Sequence, residues 1–375
     1  MGAMGIVVRA CAPPAPAAAA PSRSREAAQA QRRSKPSRTG RVLVLGGTGR
    51  VGGSTATALS KLRPDLGILV GGRNREKGES VAAKLGGQSE FVQVDTRDAG
   101  MLEEALQGVD LVVHTAGPFQ RAEECTVLQA AISTKTPYID VCDDTDYSWR
   151  AKGFHEQAKA AGVPAITTAG IYPGVSNVMA AELVHAARSE NGEPERLRFF
   201  YYTAGTGGAG PTILATSFLL LGEDVIAYNK GTSSLCTSAI APMEFLTEFL
   251  RDRNKVQKLV QSVDPLVRAV DGIAGERVSM RVDLDCSNGR NTIGLFTHKK
   301  LSVSVGFATA AFALAVLEGN TQPGVWFPEE PEGIPIEARK LLLERASQGT
   351  SNFVMNKPSW MVETDPKEVG LGIYV

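Results

Sequence analysis

A glycine-rich segment near the start of the sequence has the spacing of a phosphate-binding loop. Residues 41–53 read RVLVLGGTGRVGG, which contains Gly47-x-Gly49-x-x-Gly52 with one further glycine on each side. In such a loop the first glycine makes the turn, the second lets the backbone approach a pyrophosphate, and the third lets helix and strand pack closely. The amides at the start of the helix then face the phosphates. The residues predicted to contact a dinucleotide here are Gly46, Gly47, Thr48, Gly49, Arg50, Val51 and Gly52.

A second segment indicates which dinucleotide is bound. The next predicted strand ends in ILVGGRN, so a glycine and then Arg73 stand where NAD enzymes place an acid for the ribose 2′-hydroxyl. No carboxylate follows until Glu76. Arg73 can pair with a 2′-phosphate, and Asn74 and Arg75 add further donors. The pattern favours NADP over NAD, since a merely solvated Arg73 would leave the missing acid unexplained.

Two further predicted strand ends point to the same crevice. Asp95 closes the segment FVQVD and could hydrogen-bond near the adenine, although an N-cap role for the next helix competes with this assignment. The segment HTAGPFQ places Ala116, Gly117 and Pro118 where the nicotinamide half of the cofactor should pass. Ligands of open α/β sheets bind at these carboxyl ends of the strands.

The chemistry expected at this crevice is hydride transfer. It needs no protein nucleophile, because the nicotinamide carries the reaction and the protein supplies orientation and a proton relay. His114, Asp143, Asp144 and Tyr172 are the nearest titratable candidates for the relay. None has a partner spacing that identifies it, and packing or capping roles compete for each. No catalytic residue is therefore assigned.

Strand and helix patterns alternate in the first half of the chain. The predicted strands cover residues 41–45, 66–70, 90–94, 110–114, 136–141 and 164–168. The predicted helices cover residues 52–62, 75–84, 100–107, 121–133 and 147–161. Short Val-, Leu- and Ile-rich strands that alternate with helices are typical of a parallel sheet covered on both faces. The sequence thus predicts an α/β fold, with an N-terminal Rossmann doubly wound parallel sheet over residues 41–170.

The second half has a different character. Residues 196–203 (RLRFFYYT) look like a strand, residues 212–224 like a helix, and residues 277–287 and 291–298 like a hairpin around Asn288-Gly289. Antiparallel pairing predicts a second α+β domain over residues 171–375. From residue 324 a loop, one more helix and a closing apolar strand at 370–375 are expected. Residues 229–243 have no clean period and look the least regular.

Residues 301–317 (LSVSVGFATAAFALAVL) are uncharged, and a segment of seventeen such residues is at the short limit for a membrane-spanning helix. The first half alternates apolar and small polar residues, and the second half is rich in alanine. We predict a strand followed by a buried helix, and no integral membrane segment.

Charge and cysteine usage exclude several classes of protein. The net charge is zero, but residues 1–40 carry seven basic side chains and one acid, which leaves 39 acidic and 33 basic residues in the remainder. A mildly acidic folded part argues against a nucleic acid partner. The five cysteines and four histidines are scattered without a CxxC motif, which argues against a metal site and a disulfide framework.

The first 40 residues resemble a transit peptide. They are rich in alanine, arginine, serine and proline, nearly free of acids, and without a continuous apolar stretch. A disordered transit peptide over residues 1–40 is predicted, with the chloroplast (plastid) favoured over the mitochondrion because an amphipathic arginine helix is hard to draw. A disordered cytosolic tail is the alternative.

Five segments together resemble the saccharopine dehydrogenase-like family, and specifically its plastid plant members: the glycine loop, GGRNREK, AGPF, YIDVCDD and GIYPGVSN. The resemblance covers residue 41 to the end and is strongest over residues 41–180. It implies an NAD(P)-binding Rossmann domain and a second domain whose last helices pack back on the first. It also implies that Gly47, Gly49, Gly52, Arg73, Asn74, Ala116 and Gly117 contact the dinucleotide. The substrate wall that it implies consists of Tyr138, Asp140, Asp143, Asp144, Tyr172 and Asn177.

The sequence also departs from the family. Relatives often have a Gly-Glu pair where this chain has Asp143-Asp144, which keeps the charge but shortens its reach. Residues 229–243 look shorter and less ordered than the corresponding part of the family's substrate domain. A strand-rich segment missing there would put activity in doubt while leaving cofactor binding intact.

Three functions remain open at this point. The first is an NADP-dependent oxidoreductase that acts on a small amino-acid-like, carbonyl or imine substrate, with a homodimer left open. The second is a catalytically silent NADP-binding redox sensor or scaffold. The third is an atypical short-chain dehydrogenase, although no tyrosine is followed by lysine four positions later. Saccharopine itself is disfavoured as substrate, because its several carboxylates would need an arginine cluster.

Overall fold

In the part of the chain that the structure describes, the strands form two main β-sheets and one two-stranded ribbon. The computed structural model describes residues 6–8, 40–120, 122–204, 214–216, 218–219, 224–229, 232–237, 249–274 and 276–362. Parts of several predictions lie outside these ranges: residues 1–5 and 9–39 of the leader, residues 121, 212–213, 217 and 220–223 of predicted helices, residues 230–231 and 238–243 of the segment expected to be irregular, and the closing strand at 370–375.

The elements of the first half are β1 (Ile6–Val8), β2 (Arg41–Leu45), α1 (Arg50–Leu62), β3 (Gly67–Gly72), α2 (Arg75–Leu85), β4 (Glu90–Gln93), α3 (Ala99–Ala105), β5 (Leu111–His114), α4 (Thr126–Ser133), β6 (Tyr138–Asp140), α5 (Thr145–Lys152), α6 (His155–Ala161) and β7 (Pro164–Ile166). Those of the second half are α7 (Val175–Ser189), β8 (Pro194–Ala204), β9 (Asp224–Asn229), β10 (Thr232–Thr237), α8 (Arg253–Ala274), β11 (Arg277–Cys286), β12 (Asn291–His298), α9 (Leu301–Leu317), β13 (Gly324–Trp326), α10 (Ile336–Ala346), β14 (Asn352–Lys357) and a 3-10 helix (Ser359–Met361).

The seven-stranded sheet is parallel, with the order β13-β7-β6-β5-β2-β3-β4. The strand order reverses between β2 and β5, and a crevice opens at such a switch point in doubly wound sheets. The predicted Rossmann half is confirmed. The structure adds a seventh strand, β13, which the sequence analysis assigned to a loop because three residues that include a glycine are too short to show a period.

The five-stranded sheet is antiparallel, with the order β1-β8-β11-β12-β14. Helix α7 packs against one face, where alternate residues of β11 such as Met280 and Val282 share a buried cluster with Met179 and Leu183. The hairpin predicted from Asn288-Gly289 is confirmed as β11–β12, and Gly289 takes a φ of +78° at the turn. Its left-handed backbone is why glycine suits this position.

The strand predicted for the start of residues 301–317 is wrong, because the whole segment is the single helix α9. Nearly every face of α9 is buried, so its apolar residues show no helical period and the alternation mimics a strand. Its small side chains let it lie against α1: a Cβ on Gly306 would stand 2.7 Å from the backbone carbon of Ser54. Within the described ranges, no helix combines the length and apolar composition that a membrane crossing requires.

Three further predictions differ from the structure. The helix expected over residues 147–161 is divided near Gly153 into α5 and α6. Residues 6–8 of the predicted disordered leader form β1, which pairs with β8; three β-branched or apolar residues are too few to reveal this. Part of the segment expected to be irregular, residues 232–237, forms β10 and pairs in register with β9.

Candidate functional site

A cleft of about 1150 Å³ opens at the carboxyl ends of β2 to β5. Its lining includes eleven of the thirteen residues predicted to bind the cofactor: Gly46, Thr48, Gly49, Arg50, Val51, Gly52, Arg73, Asp95, Ala116, Gly117 and Pro118. Gly47 and Asn74 do not line it. The volume is slightly above the range of about 300–1,000 Å³ that is usual for small-molecule sites, so the cleft has room for a dinucleotide.

The turn of the glycine loop is made by Gly46 rather than by Gly47. Gly46 has a φ of +77°, and a Cβ there would lie 2.9 Å from the Cα of Ala116. Gly47 instead faces the neighbouring strand, where its N–H donates to the carbonyls of Val44 and Gly71. The prediction that Gly47 makes the turn is therefore wrong, because two adjacent glycines fit the same turn equally well in the sequence.

Close packing at the third position is as expected. A Cβ on Gly52 would stand 2.3 Å from the carbonyl oxygen of Gly46 and 2.5 Å from Oγ1 of Thr115. The backbone therefore requires glycine at Gly46 and Gly52, with Gly49 between them at the helix start, and α1 begins directly above the loop.

The N-terminus of α1 offers a place for an anion. Its N-cap is Gly49, which has no side chain to satisfy the first amides, and the first turn contains no acidic residue. These amides and the helix dipole favour negative charge at this end. With the glycine cradle, this arrangement fits the pyrophosphate of a dinucleotide.

Arg73 lines the cleft directly after β3, as the 2′-phosphate prediction requires. Asn74 caps helix α2 instead, since its Oδ1 accepts the N–H of Lys77 at 2.9 Å. Its proximity to Arg73 in the sequence suggested a cofactor contact, but a residue that starts a helix directs its side chain back to the first turn.

Asp95 forms an ion pair that the sequence analysis missed. Its carboxylate accepts from Nε of Arg97 at 3.1 Å and from Nη2 at 2.7 Å, and Arg97 also lines the cleft. The N-cap of α3 is Asp98, so the N-cap role considered for Asp95 is wrong. Hydrogen bonding from Arg97 lowers the pKa of Asp95 to about 2, so its carboxylate stays charged.

His114 closes β5 at the centre of the cleft and is almost fully buried. The N–H of Ala116 donates to its Nδ1 at 3.4 Å, and the ring packs edge-on against Phe119. Burial lowers the pKa of His114 to about 3. A histidine that remains neutral is a weak candidate for the proton relay.

Asp143 is the best placed of the candidate relay groups. It lines both the main cleft and a second cavity, and its Oδ1 accepts from Nε2 of the fully buried Gln120 at 2.7 Å. The hydroxyl of Thr216 donates to Oε1 of Gln120 at 3.2 Å, which fixes the orientation of the amide. Withdrawal of the carboxyl group from water raises the pKa of Asp143, and the Gln120 bond only partly opposes this.

Tyr138 and Asp140 do not face the cleft, which corrects their assignment to the substrate wall. Both are fully buried, and the hydroxyl of Tyr138 donates to Oδ2 of Asp140 at 2.9 Å. The other carboxylate oxygen accepts from the N–H of Cys142 and of Thr168 at 2.9 Å each. The pair ties the end of β6 to the segment after β7 and acts as internal support.

The second cavity has a volume of about 260 Å³ and adjoins the main cleft at Asp143 and Pro173. Asp144 and Asn177 line it, together with the aromatic side chains of Trp149 and Phe327 and the carboxylate of Glu329. Of its lining residues in the described part of the chain, none is an arginine or a lysine.

Two of these residues have structural roles as well. Asp144 caps α5, accepting the N–H of Tyr147 at 2.7 Å. Asn177 donates from Nδ2 to Oε2 of Glu329 at 3.1 Å. Withdrawal of the carboxyl group from water raises the pKa of Glu329, although the residue as a whole is exposed. Glu329 was missed because it lies 152 residues from Asn177 in the chain.

Tyr172 lines the main cleft. Its hydroxyl shares a hydrogen bond of 2.6 Å with Oγ1 of Thr203, and its ring stacks on Tyr201 at a centroid distance of 4.8 Å. Withdrawal from water raises its pKa. Tyr172 is therefore held as a wall between the two sheets. Among the described residues, no group of His, Cys, Asp and Glu side chains is arranged to hold a metal ion.

Comparison with known proteins agrees with the geometry of the cleft. Residues 42–166 match the model of the saccharopine dehydrogenase NADP binding domain. The fold is similar to that of apo saccharopine dehydrogenase (L-Glu forming) from Saccharomyces cerevisiae, with a TM-score of 0.59 at 14% identity, covering 85% of this chain and 99% of the other. The predicted cofactor, NADP, is confirmed by the domain match.

Two curated relatives match parts of the sequence. One is a Mycobacterium tuberculosis protein whose name describes a trans-acting enoyl reductase, 26% identical over 153 residues, which are 40% of this chain and 36% of that protein. The other is prestalk A differentiation protein A of Dictyostelium discoideum, 30% identical over 103 residues, which are 28% and 31% of the two chains. The chain thus spans about a third of the length of these relatives. Residues 42–166 therefore form a saccharopine dehydrogenase NADP binding domain, and the fold of the chain is similar to that of saccharopine dehydrogenase.

Proposed function

We propose that the protein transfers a hydride between NADP and a small carbonyl or imine compound that is amino-acid-like in size. The observation that carries the proposal is the continuity of the dinucleotide cleft with the second cavity, which meet at Asp143 and Pro173. A substrate in the second cavity would then lie beside the nicotinamide half of the cleft. When bound, the cofactor supplies or accepts the hydride.

Asp143 is the residue that would hold the proton for this reaction. Its raised pKa favours the protonated form closer to neutral pH than an exposed aspartate allows, and the Gln120 amide fixes one of its oxygens. A general acid works best when its pKa is near the working pH. Reduction of a carbonyl or imine carbon by hydride leaves a negative oxygen or nitrogen, which takes the proton from Asp143.

The lining of the second cavity bears on the substrate class. Three carboxylates, Asp143, Asp144 and Glu329, with the aromatic rings of Trp149 and Phe327, suit a small compound that carries an amino or imino group. A substrate with several carboxylates would be repelled there. This supports the expectation that saccharopine is not the substrate, whatever the fold.

The first experiment measures cofactor choice. The full chain is expected to bind NADPH more tightly than NADH. Arg73→Ala should lower the ratio of the NADH to the NADPH dissociation constant by about tenfold, because a charge-assisted contact to the 2′-phosphate is lost. If the wild type and Arg73→Ala each bound NADPH and NADH with equal affinity, the assignment of Arg73 to the 2′-phosphate would be wrong. Intrinsic fluorescence or calorimetry provides the dissociation constants.

The second experiment measures turnover. NADPH oxidation is followed across panels of imines, aldehydes and amino-acid-derived ketones, with enoyl compounds included because of the mycobacterial relative's name. Asp143→Asn should lower kcat by about 100-fold with unchanged NADPH affinity. NADPH binding without turnover of any compound would favour the alternative, a catalytically silent NADP-binding protein.

For localisation, we propose that residues 1–40 direct the protein to the plastid. The support is compositional: seven basic residues, one acid and no continuous apolar stretch. A fusion of these residues to a fluorescent protein should accumulate in chloroplasts of transfected leaf cells. Diffuse cytosolic fluorescence would contradict the proposal, and mitochondrial fluorescence would select the alternative organelle.

A further inference from the structure

Arg73 and the Asp95–Arg97 pair occupy neighbouring strand ends at one side of the cleft. β3 and β4 are adjacent parallel strands, and the N–H of Val94, just after β4, donates to the carbonyl of Gly72 at 3.0 Å. Arg73 follows Gly72 and Asp95 follows Val94 in the chain, so the three charged residues stand at the same edge and all line the cleft. This is the edge where a dinucleotide fold receives the adenosine ribose.

The ion pair holds the guanidinium of Arg97 in a fixed orientation. Two N–H groups of the guanidinium donate to the two oxygens of Asp95, and the backbone N–H of Arg97 donates to Oδ1 at 3.1 Å. A guanidinium has five N–H donors, so the bidentate contact leaves three for a ligand. The side chain of Arg97 is 78% exposed and that of Asp95 only 26%, so the arginine stands on the open side of the pair.

The pair also changes what Asp95 can do. A carboxylate at this edge would repel a 2′-phosphate and would accept a hydrogen bond from the 2′-hydroxyl of NAD. Both oxygens of Asp95 are instead occupied by Arg97. Arg75, the other nearby arginine, donates to Glu79 and Gln93 at 3.4 Å each.

We propose that Arg97 is a second specificity-determining residue for the 2′-phosphate of NADPH, and that Asp95 is the positioning residue that holds it and is neutralised by it. Arg73 and Arg97 then present two cations to one phosphate from adjacent strand ends. The inference rests on the NADP site of the proposed function, but not on any catalytic activity.

The test compares dissociation constants of NADPH and NADH for the full chain at one fixed, low ionic strength. Arg97→Ala should weaken NADPH binding by about tenfold and NADH binding by less than about twofold. The double variant Asp95→Asn/Arg97→Ala should recover part of the loss, to about threefold, because no uncompensated carboxylate then faces the phosphate. The variants are expected to rank in the same order when binding of 2′,5′-ADP is compared with binding of 5′-AMP, because these two nucleotides differ at the 2′ position alone.

Arg63→Ala is the matched control. Arg63 forms the same kind of exposed pair, with Nε 3.1 Å from Oδ1 of Asp65 two residues away, and has one longer contact of 3.9 Å from Nη1 to Oε1 of Glu318. It does not line the cleft. The substitution removes the same charge and should change NADPH binding by less than about twofold. Circular dichroism verifies that each variant is folded.

The possible results separate the inference from the proposed function. A wild-type chain that binds neither dinucleotide would refute the cofactor site as a whole. A wild-type chain that prefers NADPH and loses the preference with Arg73→Ala, but in which Arg97→Ala behaves like Arg63→Ala, would overturn the inference alone. Equal losses in the single and double variants would overturn the neutralising role of the pair.

Discussion

Nε2 of Gln120 lies 2.7 Å from Oδ1 of Asp143. Because Asp143 lines both the main cleft and the second cavity, this hydrogen bond lies at the boundary between the two cavities. Gln120 is fully buried, and its amide oxygen accepts from Thr216. The amide therefore cannot turn without losing a hydrogen bond, and an unmade buried bond is costly. Asp143 is held in one place while its carboxyl group is withdrawn from water.

A dependence of stability on pH follows for Asp143. Its pKa is raised in the folded protein, so the native state holds the proton more tightly than the unfolded chain. The free energy of unfolding contributed by this group therefore falls as the pH rises from the unfolded pKa through the folded one. Asp143→Asn has no charge to form and should lose less stability between pH 4 and pH 8 than the wild type.

Urea unfolding at several pH values measures this difference. Asp65→Asn is the control, since the side chain of Asp65 is 61% exposed and lies away from both cavities. Effects of other titrating groups cancel in the comparison between variants. Parallel pH profiles for the wild type and Asp143→Asn would contradict the burial argument.

The glycine loop allows folding and binding to be separated. A Cβ on Gly52 would stand 2.3 Å from a backbone oxygen, so Gly52→Ala should destabilise the protein by about 1–3 kcal/mol and abolish NADPH binding. A Cβ on Gly49 would meet one oxygen at 3.1 Å, so Gly49→Ala should fold but bind NADPH at least about tenfold more weakly, as the backbone no longer approaches the pyrophosphate.

Gly53 provides the matched control for the loop. It is in α1 next to Gly52, and a Cβ there would meet its nearest atom at 3.4 Å, an ordinary contact. Gly53→Ala should stabilise the helix by up to about 1 kcal/mol. Equal binding by Gly49→Ala and Gly53→Ala would place the pyrophosphate elsewhere. Thermal unfolding and NADPH titration of the three variants give both readouts.

His114 should make the protein sensitive to acid. Burial lowers its pKa to about 3, so the unfolded chain takes up the proton first as the pH falls below about 6.5. Stability is therefore lost from about pH 6.5 downward, and about 2 kcal/mol is lost by pH 5. His114→Asn can still accept the N–H of Ala116 and should lose less over this interval. Urea unfolding measures the difference, and a His114 NMR signal that titrates between pH 5 and pH 8 would refute it.

The parts of the site that could be predicted from the sequence are those determined by residues close together in the chain. The glycine loop lies between a strand and a helix that are visible in residues 41–62, and Arg73 was found because it directly follows β3. Local pattern also located six of the seven parallel strands. These features depend on backbone geometry over a few residues.

The parts that were missed depend on contacts between distant segments. Gln120 meets Asp143 across 23 residues and Thr216 across 96, and no local pattern connects them. Tyr138 and Asp140 looked like substrate residues because of their types, yet they bond to each other and to the segment after β7. Burial decides such roles, and it is set by tertiary packing.

The contact between α9 and α1 gives the last prediction. Helix α1 carries the glycine loop at its N-terminus, and α9 fixes its position through the approach of Gly306 to the backbone of Ser54. Gly306→Ala would place a methyl group 2.7 Å from the carbon and 2.8 Å from the oxygen of Ser54. Neither backbone atom can move aside, so we expect the free energy of unfolding, measured in urea, to fall by about 1–3 kcal/mol.

Gly100→Ala is the control. Gly100 is exposed, and a Cβ added there would lie 3.5 Å from Oδ1 of Asp98, which is an ordinary contact. An unchanged free energy of unfolding for Gly306→Ala would mean that the two helices are not in tight contact. Since α1 begins at the pyrophosphate end of the cleft, the same variant should also weaken NADPH binding, while Gly100→Ala should leave it unchanged.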